Sequence, residues 1–106
     1  MNKKYILRKN EDIQLVIKNN QKIIDKYFII YYKDNKMEYN RYCISVSKKI
    51  GKAHVRNLLK RRMKDILMKN NIDNSNDYVI ILRNGIMDLS YLEMKDIIIN
   101  ILKGEK

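Results

Sequence analysis

The segment from Lys48 to Lys64 carries eight of the chain's 23 lysine and arginine residues and no acidic residue. The other 89 residues hold 15 basic and 12 acidic side chains, so this one segment supplies most of the formal net charge of +11. Its apolar residues recur with the 3.6-residue period of a helix. Any fold that contains this segment must therefore bury one side of it and leave the cationic side to solvent or to an anionic partner.

We predict a helix over residues 53–69. At 100° per residue, one arc of this helix is apolar and contains Val55, Leu58, Leu59, Met63 and Ile66. The opposite arc is polar and cationic and contains Arg56, Asn57, Lys60, Arg61 and Lys64. Arg62 falls within the apolar arc, and we expect its stem to extend outward so that the guanidinium reaches water.

The cationic arc is unusual because it contains no acid. A solvated helix face usually mixes Glu with Lys four residues apart, since such pairs stabilise the helix. Here residues 52, 56, 60 and 64 carry like charges along one ridge, and the phosphates of a nucleic acid would relieve their repulsion. Two roles are open for Asn57: its amide binds base edges of the nucleic acid, or it is an exposed polar residue without a binding role. Lys48, Lys49 and Gly51 could hold a phosphate ahead of the helix, although no glycine-rich pattern surrounds them.

The rest of the chain predicts a single α+β domain over residues 1–106. Asn10 is expected to cap a short helix with Ile13, Val16 and Ile17 on one face. Strands are predicted at 27–32, 41–47 and 78–83, and two or three strands precede the basic helix, depending on whether Ile23-Ile24 forms one. The pattern predicts a polar loop over residues 70–77, in which Asp73 and Asp77 form turns. Ser90 is expected to cap a last helix that turns Leu92, Ile97, Ile98, Ile101 and Leu102 toward the sheet.

Several function classes are disfavoured by what the residues lack. Cys43 and His54 are the only cysteine and histidine, so neither an internal disulfide nor a structural zinc site is expected. No nucleophile–base pair suggests itself for catalysis. The apolar runs are too short to cross a bilayer, and a cytoplasmic location without membrane contact is expected. The residues leave open an RNA-binding subunit of a ribozyme, another basic RNA-binding protein such as a ribosomal component, and, less favoured, a free-standing nuclease.

One stretch resembles the signature of a known family. The run from Lys48 to Arg61, with its glycine, its alanine, Arg56-Asn57 and then Lys60-Arg61, is similar to the signature of the bacterial ribonuclease P protein subunit. Ser45-Val46-Ser47 matches the family's preceding strand, and residues 10–12, 28–31 and 77–83 match its first helix and other strands. The likeness covers nearly the whole chain.

The resemblance implies a fold of order αβββαβα, a two-layer α+β domain with a left-handed βαβ crossover, against the usual right-handed rule. It implies a protein partner of a catalytic RNA that removes the 5′ leader of precursor tRNA, with Mg²⁺ held by RNA and no obligate protein partner. The contact with the RNA subunit maps to Lys48, Lys49, Lys52, Arg56, Asn57, Lys60, Arg61 and Lys64. The leader site, a cleft between the first helix and the sheet, maps to Ile13, Ile17, Tyr31, Lys49 and Arg83.

The chain departs from the family pattern at several of these positions. Leu58 and Lys64 stand where arginine is frequent, which implies a weaker contact with the RNA subunit. Ile13 and Ile17 stand where aromatic residues are usual, and stacking on such a ring is worth about 1–3 kcal/mol per base. Arg62 replaces a usual apolar residue. We therefore expect Tyr31 and its neighbours to carry more of the leader contact.

Overall fold

A computed structural model of the chain describes residues 2–70, 72 and 74–104. Its helices and strands are α1 (Asn10–Lys18), β1 (Lys22–Ile24), β2 (Phe28–Asp34), β3 (Arg41–Val46), α2 (Ala53–Lys69), β4 (Asn76–Leu82) and α3 (Tyr91–Gly104), with 3-10 turns at Lys3–Tyr5 and Ile86–Asp88. This order confirms the predicted αβββαβα arrangement. In the described part of the chain, no helix combines the length and the apolar character needed to span a bilayer.

The four strands form one mixed sheet in the order β1-β2-β4-β3. β2 pairs antiparallel with both β1 and β4, whereas β3 and β4 are parallel neighbours joined through α2. The βαβ unit that the resemblance implies is therefore present, and the left-handed sense of its crossover stays a prediction. Because β3 lies at one edge of the sheet, α2 and the residues that flank it are close to that edge.

The alternation of side chains along the strands gives the sheet two different faces. Phe28, Ile30, Tyr78 and Ile80 point to one face and form the main core with α2 and α3. The opposite face is covered in part by α1, where a smaller cluster forms from Leu7, Val16 and Val79 with half-buried Ile13, Ile17, Tyr31, Cys43 and Ile81. The predicted alternation in β3 is confirmed, since Tyr42, Ile44 and Val46 join the main core and Cys43 joins the smaller cluster.

The ends of two helices test the capping predictions. The Ser90 prediction is confirmed, because the Glu93 amide donates to Ser90 Oγ (3.1 Å) and the Ser90 amide donates to a Glu93 carboxylate oxygen (2.9 Å). The Asn10 prediction is wrong. Lys9 occupies the capping position of α1 without a side-chain hydrogen bond, and Asn10 is the first helical residue.

Three predictions about burial are also wrong. Asn76 and Asp77 belong to β4 and are buried, so the loop predicted over 70–77 is shorter at its C-terminal end; Asp73 lies outside the described residues. Leu58 is 40% exposed and Leu92 is 65% exposed. On α3 the buried residues are Met94, Ile98, Ile99 and Leu102. The buried side of this helix is therefore rotated relative to the predicted one, which leaves Leu92 outside it.

Candidate RNA-binding surfaces

The N-terminal end of α2 is set by a tight turn after β3. The Ile50 amide donates to the Ser47 carbonyl (3.0 Å), and the Lys49 amide donates to Ser47 Oγ (3.2 Å). A Cβ atom on Gly51 would lie 3.1 Å from Val55 Cγ1, so glycine lets the chain pass close to the first turn of the helix. Lys52 caps α2 in extended backbone conformation and is exposed, as is Lys49.

The outward side of α2 is a continuous cationic surface. We call it the basic face and define it by Lys52, Arg56, Asn57, Lys60, Arg61 and Lys64. Arg56 and Lys60 are half-buried and the other four are exposed, whereas Leu59, Met63 and Ile66 on the other side are fully buried. Arg62 is half-buried, in line with a stem that extends outward from the apolar side.

Among the described residues, no carboxylate forms an ion pair with the basic face. Within residues 2–70, 72 and 74–104, the ion pairs involve Arg41 and Lys69 and none of the cations from Lys48 to Lys64. Lys69 pairs with Asp65 (3.3 Å) one turn from the end of α2, beyond the basic face. The like charges at 56, 60 and 64 are thus left to repel one another, which an RNA backbone would reverse.

The predicted leader residues are brought together only in part. Ile13 and Ile17 on α1 and Tyr31 on β2 pack in the same small cluster, so these three lie together between α1 and the sheet, where the leader cleft is predicted. The Lys22 ammonium lies 5.9 Å from the centroid of the Tyr31 ring, which places a cation beside the aromatic residue of this cleft.

Lys49 and Arg83 lie outside that cluster. Lys49 is in the turn after β3, and Arg83 follows β4, so both lie beyond the same end of the two parallel strands. Arg83 is exposed and its guanidinium donates to the Asp25 carbonyl (2.8 Å) at the turn between β1 and β2. These two cations are thus separate from the apolar part of the predicted leader site.

The edge strand β3 carries Cys43, whose thiol is influenced by the charge of a residue on the basic face. Cys43 lies on the α1 side of β3, and burial raises the pKa of its thiol. The positive charge of Lys60 acts on the same thiol and lowers its pKa in opposition to burial. Lys60, on the helix that packs on the other face, is therefore close enough to the edge of β3 to influence a group on the cleft side.

A part-buried ion pair that the sequence analysis did not predict lies beside α1. The Arg41 guanidinium donates to both oxygens of Asp77, from Nε (2.8 Å) and Nη2 (2.6 Å), and Asn35 donates to Asp77 Oδ1 (3.0 Å). These hydrogen bonds raise the pKa of Arg41. Asp12 of α1 lies 3.9 Å from Arg41, so the pair also ties the helix to the sheet. The sequence shows only an acid, Asp77, next to the apolar run of a strand, and this pattern predicts a turn rather than an ion pair.

The described residues offer no obvious catalytic centre. In residues 2–70, 72 and 74–104, no three His, Cys, Asp or Glu side chains converge closely enough to hold a metal ion. The Cys43 thiol is half-buried, and its raised pKa keeps it protonated at neutral pH. His54 is exposed in the first turn of α2.

Comparison with known proteins gives consistent matches over the full length. The family model described as Ribonuclease P matches residues 1–105. The ribonuclease P protein component of Mycoplasma capricolum subsp. capricolum is 38% identical over 110 aligned positions, covering 100% of both chains. That of Geobacillus sp. (strain WCH70) is 38% identical over 106 positions, covering 97% of this chain and 91% of the relative.

Solved structures show the same fold. The RNase P protein from Thermotoga maritima superimposes with a TM-score of 0.88 at 30% identity, covering 95% of this chain and 97% of that one. The Staphylococcus aureus RNase P protein gives a TM-score of 0.84 at 31% identity, covering 96% and 95%.

Proposed function

The chain belongs to the ribonuclease P protein family, and we propose that it uses the basic face of α2 to hold the catalytic RNA and the cleft beside α1 to hold the 5′ leader of precursor tRNA. As a member of that family it is the protein component of ribonuclease P, an endoribonuclease that works with an RNA subunit in tRNA processing. Of the three classes that the residues left open, membership favours the ribozyme subunit over the ribosomal component and the free-standing nuclease.

The single observation that carries the proposal is the unpaired charge of the basic face. Among the described residues, none of the five cations of the basic face forms an ion pair with a carboxylate; they are Lys52, Arg56, Lys60, Arg61 and Lys64. Each phosphate that such a cation neutralises releases counterions, which strengthens binding and makes it depend on salt. Arg56 and Arg61 can also bind a phosphate through two hydrogen bonds, which lysine cannot do in the same geometry.

The cleft supports the leader proposal through its mixed lining. Ile13 and Ile17 offer apolar contact, Tyr31 offers a ring face for a base, and Lys22 adds a cation next to that ring. Single-stranded nucleic acids bind through this combination of stacking and backbone charge. Of Ile13, Ile17 and Tyr31, only Tyr31 is aromatic. We therefore expect the leader to bind more weakly than it would if positions 13 and 17 also carried aromatic rings. Lys49 and Arg83 would contact leader phosphates beyond the end of the sheet.

The chemistry of cleavage is proposed to come from Mg²⁺ bound by RNA, which activates water and stabilises charge at the scissile phosphate. The protein's residues then act by position and charge. They bring the RNA subunit and the leader to adjacent surfaces and offset phosphate repulsion where the two approach. We further propose a cytoplasmic site of action, with no obligate protein partner and no membrane contact.

Reconstitution tests this proposal. Purified protein added to its cognate catalytic RNA should speed leader removal at low Mg²⁺ concentration, because the cations of the protein replace part of the ionic screening that Mg²⁺ provides. Protein alone should leave the precursor intact. Cleavage by protein alone would favour the nuclease, and an RNA subunit unaffected by the protein would contradict the proposed partnership.

A further inference from the structure

The N-terminal segment forms a second cationic cluster that the charge pattern of the sequence did not single out. Residues 2–9 contain Lys3, Lys4, Arg8 and Lys9 and no acid. The 3-10 turn at Lys3–Tyr5 and a parallel bridge between Ile6 and Tyr42 hold this segment against the start of β3. All four cations are exposed, and among the described residues none of them forms an ion pair.

All four of these cations line a cleft of about 250 Å³. Tyr39, Ile6, Asp12 and Arg41 complete the lining. Arg41 is already engaged by Asp77, and Asp12 is the one acid in the set. The remaining cations give the cleft a net positive charge, which suits a phosphate group.

A second cleft of about 320 Å³ adjoins the first, and Lys4 and Tyr39 line both. The rings of Tyr5 and Tyr39 meet edge to face, with centroids 5.5 Å apart and an interplanar angle of 90°. The Lys4 ammonium lies 5.0 Å from one centroid and 4.9 Å from the other. Leu67 and Met68, near the end of α2, form part of the wall, and Glu38 is the one acid in this lining beside Lys4. Half-buried rings beside aliphatic side chains are the lining that a nucleobase prefers.

We propose that these two adjoining clefts, which we call the N-terminal groove, bind a nucleotide of single-stranded RNA. Lys3, Arg8 and Lys9 hold its phosphate, and the rings of Tyr5 and Tyr39 hold its base. A phosphate and a base joined through one sugar must occupy neighbouring sites, and the shared Lys4 and Tyr39 make the clefts neighbours. Lys4 lines both, so its ammonium can leave the rings for the phosphate when a base enters.

The position of the groove connects it with the two surfaces of the proposed function, on which this inference rests. Its aromatic cleft reaches the last turn of α2, the helix that carries the basic face, and its basic cleft reaches Asp12 on α1. The nucleotide can therefore come from the RNA subunit or from the leader of precursor tRNA. The chemistry recognised is the same in both cases, and the two arms of the test separate them.

The test uses two groove variants and one control in the reconstituted holoenzyme. Tyr5→Leu with Tyr39→Leu removes both rings and keeps apolar bulk. Arg8→Gln with Lys9→Gln removes two exposed cations and leaves the core untouched. Lys95→Gln with Lys103→Gln is the control, because these lysines lie on α3 and line neither cleft. One arm measures affinity for the RNA subunit, and the other measures holoenzyme affinity for precursor tRNA relative to tRNA without a leader. Thermal unfolding checks that each variant is folded.

Loss of the rings should weaken binding in one arm by about 5- to 150-fold, the range expected for one stacked base. Loss of the two cations should reduce the salt slope in the same arm by about one unit per lost phosphate contact. The affected arm identifies the source of the RNA. If wild-type protein binds RNA and the groove variants bind it with the same affinity and salt slope as the wild-type protein or the control variant, the inference is overturned while the proposed function stands. If wild-type protein binds neither RNA, the proposed function itself fails.

Discussion

Replacing Lys60 by methionine should weaken RNA binding and stabilise the free protein. Lys60 is half-buried on α2, lies four residues from both Arg56 and Lys64, and has no ion-pair partner among the described residues. Methionine keeps an unbranched stem of similar length, forms helices well and carries no charge. The substitution therefore removes the charge with little loss of packing.

The size of both effects follows from the position of Lys60. Its removal relieves two like-charge contacts of about 0.2–0.5 kcal/mol each, so the free energy of unfolding should rise by about 0.4–1 kcal/mol. For a domain of this size that corresponds to a Tm higher by roughly 2–8 °C. If Lys60 neutralises one duplex phosphate, the salt slope of RNA binding should fall by about 0.9. Over a four-fold rise in salt, the wild-type protein should then lose about 3.5 times more affinity than the variant.

Two measurements on the same protein preparation test this reasoning. Thermal unfolding without RNA reports the stability change, and titration with the RNA subunit over a range of salt concentrations reports the slope. Lys95→Met is the matched control, since Lys95 is also half-buried but lies on α3, away from the basic face. Alkylation of Cys43 at fixed pH should slow in the Lys60 variant, because Lys60 lowers the pKa of that thiol. An unchanged salt slope, or a loss of stability together with a loss of binding, would refute the argument.

Four further substitutions test other parts of the structure. Asp77→Asn leaves the half-buried guanidinium of Arg41 without its carboxylate and should lower the free energy of unfolding by about 1–3 kcal/mol in urea denaturation; a loss well below 1 kcal/mol would mean that solvent screens the pair. Leu58→Arg, at a side chain that is 40% exposed, should steepen the salt slope of RNA-subunit binding by about one unit at a stability loss of about 0.4–1 kcal/mol from the two like charges of Arg61 and Arg62; an unchanged slope would mean that this position faces away from the RNA. Ile17→Phe should tighten holoenzyme binding of leader-bearing substrate by about 1–3 kcal/mol per stacked base, with no change for leaderless tRNA; equal tightening of both would contradict a leader site. The Tyr91 hydroxyl lowers the pKa of Asp65 from its ordinary 3.8, so this carboxylate stabilises the fold fully above that value and less as pH falls through the lowered pKa; Tyr91→Phe should flatten the acid limb of a stability-versus-pH curve, and an unchanged limb would exclude the contact.

The helices were the part of the fold most accessible from sequence. α2 begins and ends where the pattern predicted, because its cationic and apolar arcs are both long and its start follows a glycine that the turn requires. The cap of α3 was predictable because Ser90 and Glu93 form their hydrogen bonds within three residues of each other. Such local signals do not depend on distant parts of the chain.

The predictions that proved wrong concern residues whose environment is set by contacts with distant parts of the chain. Asp77 is tolerated inside β4 because Arg41, 36 residues earlier in the chain, satisfies both of its oxygens, and no local pattern reveals that partner. Leu58 and Leu92 are apolar yet exposed, since hydrophobic side chains are often left on the surface. The N-terminal groove was missed for a related reason. Its cations are scattered over a short segment, and only the bridge to β3 brings them beside Tyr39.

The sheet order explains how so small a domain can present more than one of the proposed RNA-binding surfaces. α2 packs on one face of the sheet and α1 on the other, so the proposed surfaces would be separated by a full layer if β3 were an internal strand. β3 is the edge strand, and the charge of Lys60 on the basic face lowers the pKa of the Cys43 thiol on the other side of this strand, in opposition to burial. The N-terminal segment covers this edge only near Tyr42, through the bridge from Ile6 and the hydrogen bond from the Leu7 amide to the Tyr42 carbonyl (2.8 Å). An RNA subunit on the basic face and a leader in the cleft would thus approach each other around one strand, and binding of the first would raise the effective concentration of the second.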